Sequence, residues 1–278
     1  MQELGIDISR AILWFPNEAS MPYVLVRVSA EHANSWITEL RDAIRRCYIT
    51  DELLQSRSQQ LEGELQGTRE SRQSQIINSK LPNPGSIMAG DFGEILAYFY
   101  LSSKAHPQIA FGPKKWRLKQ DRTKPAPYSD VIQFVLPTWP MPSEDDKLLC
   151  AEVKLKSTNG TFSPIGAAIS GCMDDRTSRL SKTLQWLKAR AIGESLGVVQ
   201  IAHLDRFINA TDHPPVTKRF HAIAVVCSSL LDEEIQNIPI QASADFTLVV
   251  VSVPNLHDVY NAIFNAVKAS TLPQEREL

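Results

Sequence analysis

The chain has 278 residues, 43% hydrophobic and 22% charged, proportions that exclude a disordered or fibrous protein. Its formal net charge of −2 excludes a uniformly basic nucleic-acid binder, so any such surface has to be local. There is no run of about 18 apolar residues to span a bilayer, and Met1 to Asp7 lacks the basic-then-apolar pattern of a secretion signal, which points to the cytoplasm. The four cysteines, Cys47, Cys150, Cys172 and Cys227, have no Cys-x-x-Cys spacing, an argument against structural zinc and against a disulfide framework.

In chain order, Pro22 to Val28 is β-branched and alternating enough for a strand. Ser29 or Glu31 then opens a helix with Trp36, Leu40, Ile44 and Cys47 at helical spacing. Residues 51–80 turn polar, with Gly63 and Gly67 inside, and read as a solvated helix or a connector. Leu81-Pro82-Asn83-Pro84-Gly85-Ser86 breaks any regular structure and marks a boundary between a small N-terminal α/β region, 1–85, and a larger unit, 86–278. Ile87 to Leu101 is apolar on most sides and predicts a buried helix, with Glu94 as an acid near the core. Four strands are expected at 131–136, 148–155, 220–227 and 246–253, with helices over 165–193 and 255–269 between and after them. The order predicts an α/β fold, a mixed central sheet flanked by helices.

Chemistry concentrates at Glu152-Val153-Lys154. Side chains two apart on a strand share a face, so Glu152 and Lys154 project together while Ala151, Val153 and Leu155 face the core. Asp130 enters a second strand upstream. Two acids and an amine suit phosphodiester hydrolysis. Asp130, Glu152 and the Val153 carbonyl offer hard oxygen donors to a divalent cation such as Mg²⁺ or Mn²⁺, and Lys154 can orient the attacking water or hold the phosphate. The plain structural alternative is an exposed edge strand with an ion pair. Glu94 has an alternative too, as the partner of Asp91 in a helix-capping box.

Lys114, Lys115, Arg117, Lys119, Arg122 and Lys124, with Trp116 among them and Asp121 as the one acid, suit phosphate contacts, unless they form only a solvated loop. Arg176, Arg179 and Lys182 form a second basic set after the Glu-x-Lys strand. The phosphate-binding loop of ATPases, the zinc-protease motif, the serine-hydrolase elbow and the dinucleotide glycine cluster are all missing.

Asp130 followed by Glu152-Val153-Lys154 is similar to the core of the PD-(D/E)xK nuclease superfamily, with Ser129 in place of the nominal proline. Together with Gly90-Asp91-Phe92-Gly93-Glu94-Ile95-Leu96-Ala97, over about residues 86–270, the chain resembles the HamA family, nuclease subunits of the bacterial Hachiman anti-phage defence system. The resemblance implies a restriction-endonuclease-like core with Glu94, Asp130, Glu152 and Lys154 catalytic. It further implies a metal-dependent deoxyribonuclease of low sequence specificity that works with a superfamily-2 helicase, HamB-like, which would bring the ATPase. Lys114, Lys115, Arg117, Lys119 and Lys182 are the expected DNA contacts. Two alternatives stand beside it: a nuclease-fold adapter that binds DNA or the helicase without cleaving, and a sequence-specific restriction endonuclease.

Overall fold

A computed structural model describes residues 1–20, 22–64, 66–209, 211, 213–236 and 242–272, and of 17–20 the backbone alone. Asp7, Ser29, Thr50 and Thr68 open helices for one physical reason. Each side-chain oxygen accepts a first-turn N–H that the helix leaves unpaired. They precede α1 (Ile8–Trp14), α2 (Ala30–Glu39), α4 (Asp51–Gln60) and α5 (Arg69–Lys80); β1 (Asn17–Ser20) and β2 (Val24–Arg27) lie between α1 and α2, and α3 (Arg41–Tyr48) between α2 and α4. The helix expected from Ser29 through Cys47 is therefore two, broken at Leu40. The polar stretch 51–80 is also two helices, folded against each other. Gly63 and Gly67 make the turn at φ 95° and 106°, angles that side-chain-bearing residues avoid.

α6 (Ser86–Ala105) begins at Gly85, and every residue from Asp91 to Ser103 is buried. Then come β3 (Ala110–Phe111), a 3₁₀ turn at Lys115–Leu118, β4 (Val131–Val135) and β5 (Lys147–Lys156). α7 (Pro164–Asp174) runs through a π turn, Asp175–Arg179, into α8 (Leu180–Gly193), and α9 (Ile201–Ile208), β6 (Thr217–Cys227), α10 (Leu231–Gln236), β7 (Thr247–Val253) and α11 (Leu256–Lys268) complete the order.

The sheet runs β1-β2-β7-β6-β5-β4-β3. Its middle, β2-β7-β6-β5, is parallel, and both ends are antiparallel. Parallel strands are covered on both faces and so become continuous apolar runs, which is why Ile223 to Val226 and Leu248 to Val251 are all buried. On β4 and β5 the two-residue period decides the packing. Val131, Val135, Leu149, Ala151 and Val153 join the core with α6, while Ile132, Phe134, Leu148 and Cys150 join a second core with Leu184, Leu187, Leu204 and Phe207 of α8 and α9. This is the mixed sheet flanked by helices that the sequence predicts.

Residues 1–85 enter this sheet through β2, which pairs with β7, and enter the α6 core through Trp14, Phe15, Trp36 and Ile44. The breaker at Leu81–Ser86 is a turn between α5 and α6, across which the core continues.

Candidate active site

Strand pairing puts the first two acids together. The β4–β5 ladder ends at Val131↔Ala151, so Asp130, one residue before β4, lies across from Glu152. Beyond that point β5 has no strand on this side, and the Val153 N–H donates to Asp130 Oδ2 at 2.8 Å. Glu152, Lys154, Asp130 and Glu94 all line one cavity of about 630 Å³.

Glu152 is confined on several sides, its side chain 3% exposed. Lys154 Nζ donates to its Oε1, and Arg179 donates to its Oε2 at 2.8 Å. The π turn delivers Arg179: widening one helical turn between α7 and α8 lets the guanidinium reach Glu152 and the buried Asp175, at 2.6 Å. α7 closes the other side through Gly171, where a Cβ would overlap the Glu152 carboxylate. Lys154 Nζ lies 3.9 Å from Asp130 Oδ2 and 3.3 Å from the Val153 carbonyl.

Glu94 is buried in α6 and accepts from Trp116 Nε1–H at 2.9 Å. Asp91, one turn earlier, takes Tyr48 Oη–H at 2.8 Å and Lys119 Nζ at 3.0 Å. Because α6 starts at Ser86, neither acid sits in its first turn, and the capping-box alternative falls. Lys115 Nζ, also buried, donates to the Ser129 carbonyl behind Asp130.

These acids crowd one another out of water. Burial, then Asp130 and Asp91, pushes Glu94 well above the ordinary carboxylate range. Burial and Asp130 push Glu152 up to about 7, against the pull of Lys154 and Arg179. Burial lowers the Lys115 ammonium against the opposing pull of Glu94 and Asp130. For Lys154 burial works downward too, but Asp130 and Glu152 outweigh it and the net shift is upward.

The donor chemistry suits a hard divalent cation. Mg²⁺ takes one or two carboxylates and keeps several waters, and Asp130, Glu152 and the Val153 carbonyl are oxygen donors on one wall of a cavity wide enough for those waters. A cation there would also relieve the repulsion that lifts Glu152. Among the described residues no group of three His, Cys, Asp or Glu is gathered closely enough to chelate a metal by itself, so water or substrate oxygens must complete any shell. Lys154 and Arg179 already answer the charge of Glu152.

The basic stretch before Asp130 is where the sequence misleads, for four of its six cations turn inward. Lys114 donates to Tyr98 Oη and the Gly112 carbonyl, both at 2.9 Å, and pairs with Glu3. Arg117 bonds the Arg46 carbonyl and Glu3 Oε1, at 2.6 and 2.7 Å. With Lys115 on Ser129 and Lys119 on Asp91, none of the four presents a phosphate-binding surface; they brace the floor of the site. Trp116 and Leu118 in between are the sequence sign of this, since apolar residues spaced along a basic run anchor it to a core. Arg122, Lys124 and Lys182 are exposed. Arg176 pairs with Asp245 at 2.6 Å.

A mixed sheet flanked by helices, with acid, acid and lysine gathered where two strands part, is an α/β fold consistent with a nuclease-like core. The sequence model of the HamA family matches residues 16–267, and the chain belongs to that family. Membership makes it a Hachiman defence-associated protein. No curated protein sequence matches it. Among the described residues no helix is long and apolar enough to cross a membrane.

Proposed function

We propose that this chain is a Mg²⁺- or Mn²⁺-dependent deoxyribonuclease of low sequence specificity, acting in the cytoplasm with a superfamily-2, HamB-like helicase. The observation that carries the reading is the convergence of Glu94, Asp130, Glu152 and Lys154, from three separate elements, on one water-accessible cavity. Asp130, Glu152 and the Val153 carbonyl would hold the ion. A divalent ion at such a site offsets the charge that builds on phosphorus and activates water. Lys154, held by Glu152 and near Asp130, orients the attacking water or the scissile phosphate with its ammonium. Asp130 is itself held by the Val153 N–H, which ties it to β5 beside Glu152 and Lys154. Glu94, buried and inclined to keep its proton, can pass that proton or hold it at Oε1, since Oε2 is taken by Trp116. Lys182 is the DNA contact that remains from the expected set, and residues 1–85 would serve the partner. Helicase partnership and low specificity rest on the family resemblance.

The test is plasmid degradation by the purified chain with Mg²⁺. Glu152→Gln and Lys154→Ala should each lower the rate by at least about 100-fold, the scale on which positioned acid–base and charge-stabilising groups act. Equal rates in all three proteins would sink the assignment, and discrete fragments in place of a smear would indicate a sequence-specific restriction enzyme. A second reading is favoured by one observation: both Glu152 oxygens are already paired with cations of the chain. On that reading the chain is a non-cleaving adapter, and the double variant would still protect cells from phage.

A further inference from the structure

Two aromatic side chains on the wall of the cavity have no part in holding an ion or moving a proton. Tyr128 is 42% exposed and Phe162 48% exposed, and both line the cavity of Asp130, Glu152 and Lys154. They come from different loops, Tyr128 two residues before Asp130 and Phe162 two residues before α7. Packing does not account for them, since each leaves much of its ring in water. Tyr128 is also held at φ 66°, in the left-handed region that non-glycine residues rarely enter. Backbone in such regions persists where the surroundings impose it and clusters at functional sites.

The aromatic surface continues away from the cavity. Trp186 of α8 meets the Tyr128 ring edge-on, with centroids 6.2 Å apart, and the Arg190 guanidinium lies 5.7 Å from the Trp186 ring. Lys182, Trp186 and Arg190 are spaced by four and share one face of α8. Lys182 is exposed, and Arg190 pairs with Glu194 at 3.2 Å on the surface. A cation, an aromatic ring and a cation thus follow one another along the helix from the cavity outward.

We infer that the substrate is a single DNA strand whose unstacked bases lie on Tyr128 and Phe162 beside the carboxylates, with its further phosphates along the Lys182–Arg190 face. The inference rests on the nuclease reading for the identity of the cavity. A duplex offers only phosphates and base edges, because the flat faces of its bases are used up in the stack. Rings at a phosphodiester site find a partner only when the strand is separated, and aromatic platforms beside a basic track are how single strands are bound regardless of sequence.

The experiment reads binding without cleavage. The full chain carrying Glu152→Gln is titrated, in EDTA, into a fluorescently labelled oligo-dT strand and into a labelled blunt duplex of equal length, with anisotropy as readout and thermal melting to verify folding. The strand should bind at least about ten-fold more tightly than the duplex. Adding Tyr128→Ala or Phe162→Ala should each weaken strand binding about ten-fold, within the range that loss of one base–aromatic stack produces, and leave duplex binding where it was. Tyr128→Phe, which keeps the ring, should bind the strand as before. Duplex bound as tightly as strand, alanine variants that weaken both alike, or no binding of either would each overturn the inference. The two readings fail separately. Wild-type protein that binds the strand in this pattern but leaves DNA intact with Mg²⁺ refutes the nuclease, whereas cleavage of duplex untouched by Tyr128→Ala refutes only the single-strand assignment.

Discussion

Glu152 sits between opposing forces, burial and Asp130 raising its proton affinity and Lys154 and Arg179 lowering it, with a resting value of about 7. An unfolded glutamate releases its proton near 4.3. Between these two values the metal-free native state holds a proton that the unfolded chain has lost, so stability falls as pH rises through the window. Glu152→Gln, which cannot ionise, should therefore be the more stable protein at pH 8 in EDTA, by up to about 3 kcal/mol. The gain should vanish near pH 4, and denaturant titrations at the two pH values check both. A variant less stable than wild type at pH 8 would mean that the two cations outweigh burial. With Mg²⁺ present the ion would oppose the repulsion that lifts Glu152, so DNA cleavage should persist to a lower pH than the metal-free value and recover there as Mg²⁺ is raised. Glu152, Lys154 and Asp130 are legible in the sequence because a strand's two-residue period and a short upstream acid are local facts. Arg179's grip on Glu152 and the inward turn of Lys114 to Lys119 are not, since they depend on a π turn and on Glu3, Arg46 and Asp91, far away along the chain.

At the scale of elements, helix α7 matters through one of its two glycines, Gly171. Gly171→Ala would drive a methyl into Glu152, and overpacking of this kind costs about 1–3 kcal/mol. Far-UV circular dichroism should stay unchanged while the melting temperature drops and plasmid cleavage falls at least ten-fold; full activity would show that α7 can shift freely on β5. A second lock lies at the far end of β5, where the buried Arg206 of α9 pairs with the buried Asp146 at 2.7 Å and bonds the Ser143 and Pro214 carbonyls. Arg206→Ala should destabilise by about 3–5 kcal/mol, the scale for stranding one member of a buried pair, as measured by denaturant unfolding. The long apolar elements, β4 to β7, α6 and α11, are read directly from their patterns. Short ones are not. β1, β3, α1, α9 and α10 span too few residues to show a period, and α4 and α5 bury Ser58, Arg72 and Gln73 beside the apolar Leu54, Ile76 and Ile77, so a polar sequence hides two real helices.

Across the whole molecule, the sheet order explains why a modest N-terminal segment is not a bystander. β2 covers one edge of β7, and Trp14, Phe15 and Trp36 pack with Phe99 and Tyr100 of α6. Cutting the chain between 85 and 86 would uncover a hydrophobic parallel strand, the kind of edge that invites aggregation. Residues 86–278 produced alone should be insoluble or lack cooperative unfolding, and co-expression with 1–85 should restore both; a soluble fragment with a sharp melt would establish independent units. Tyr48 reaching Asp91, and Glu3 and the Arg46 carbonyl reaching Lys114 and Arg117, tie the first fifty residues to the floor of the cavity. In terms of descent, the front segment is not a module to be exchanged at will: a recombinant that replaces residues 1–85 keeps the braces under Asp91, Lys114 and Arg117 only where its new segment again supplies a hydroxyl for Tyr48 and a carboxylate for Glu3.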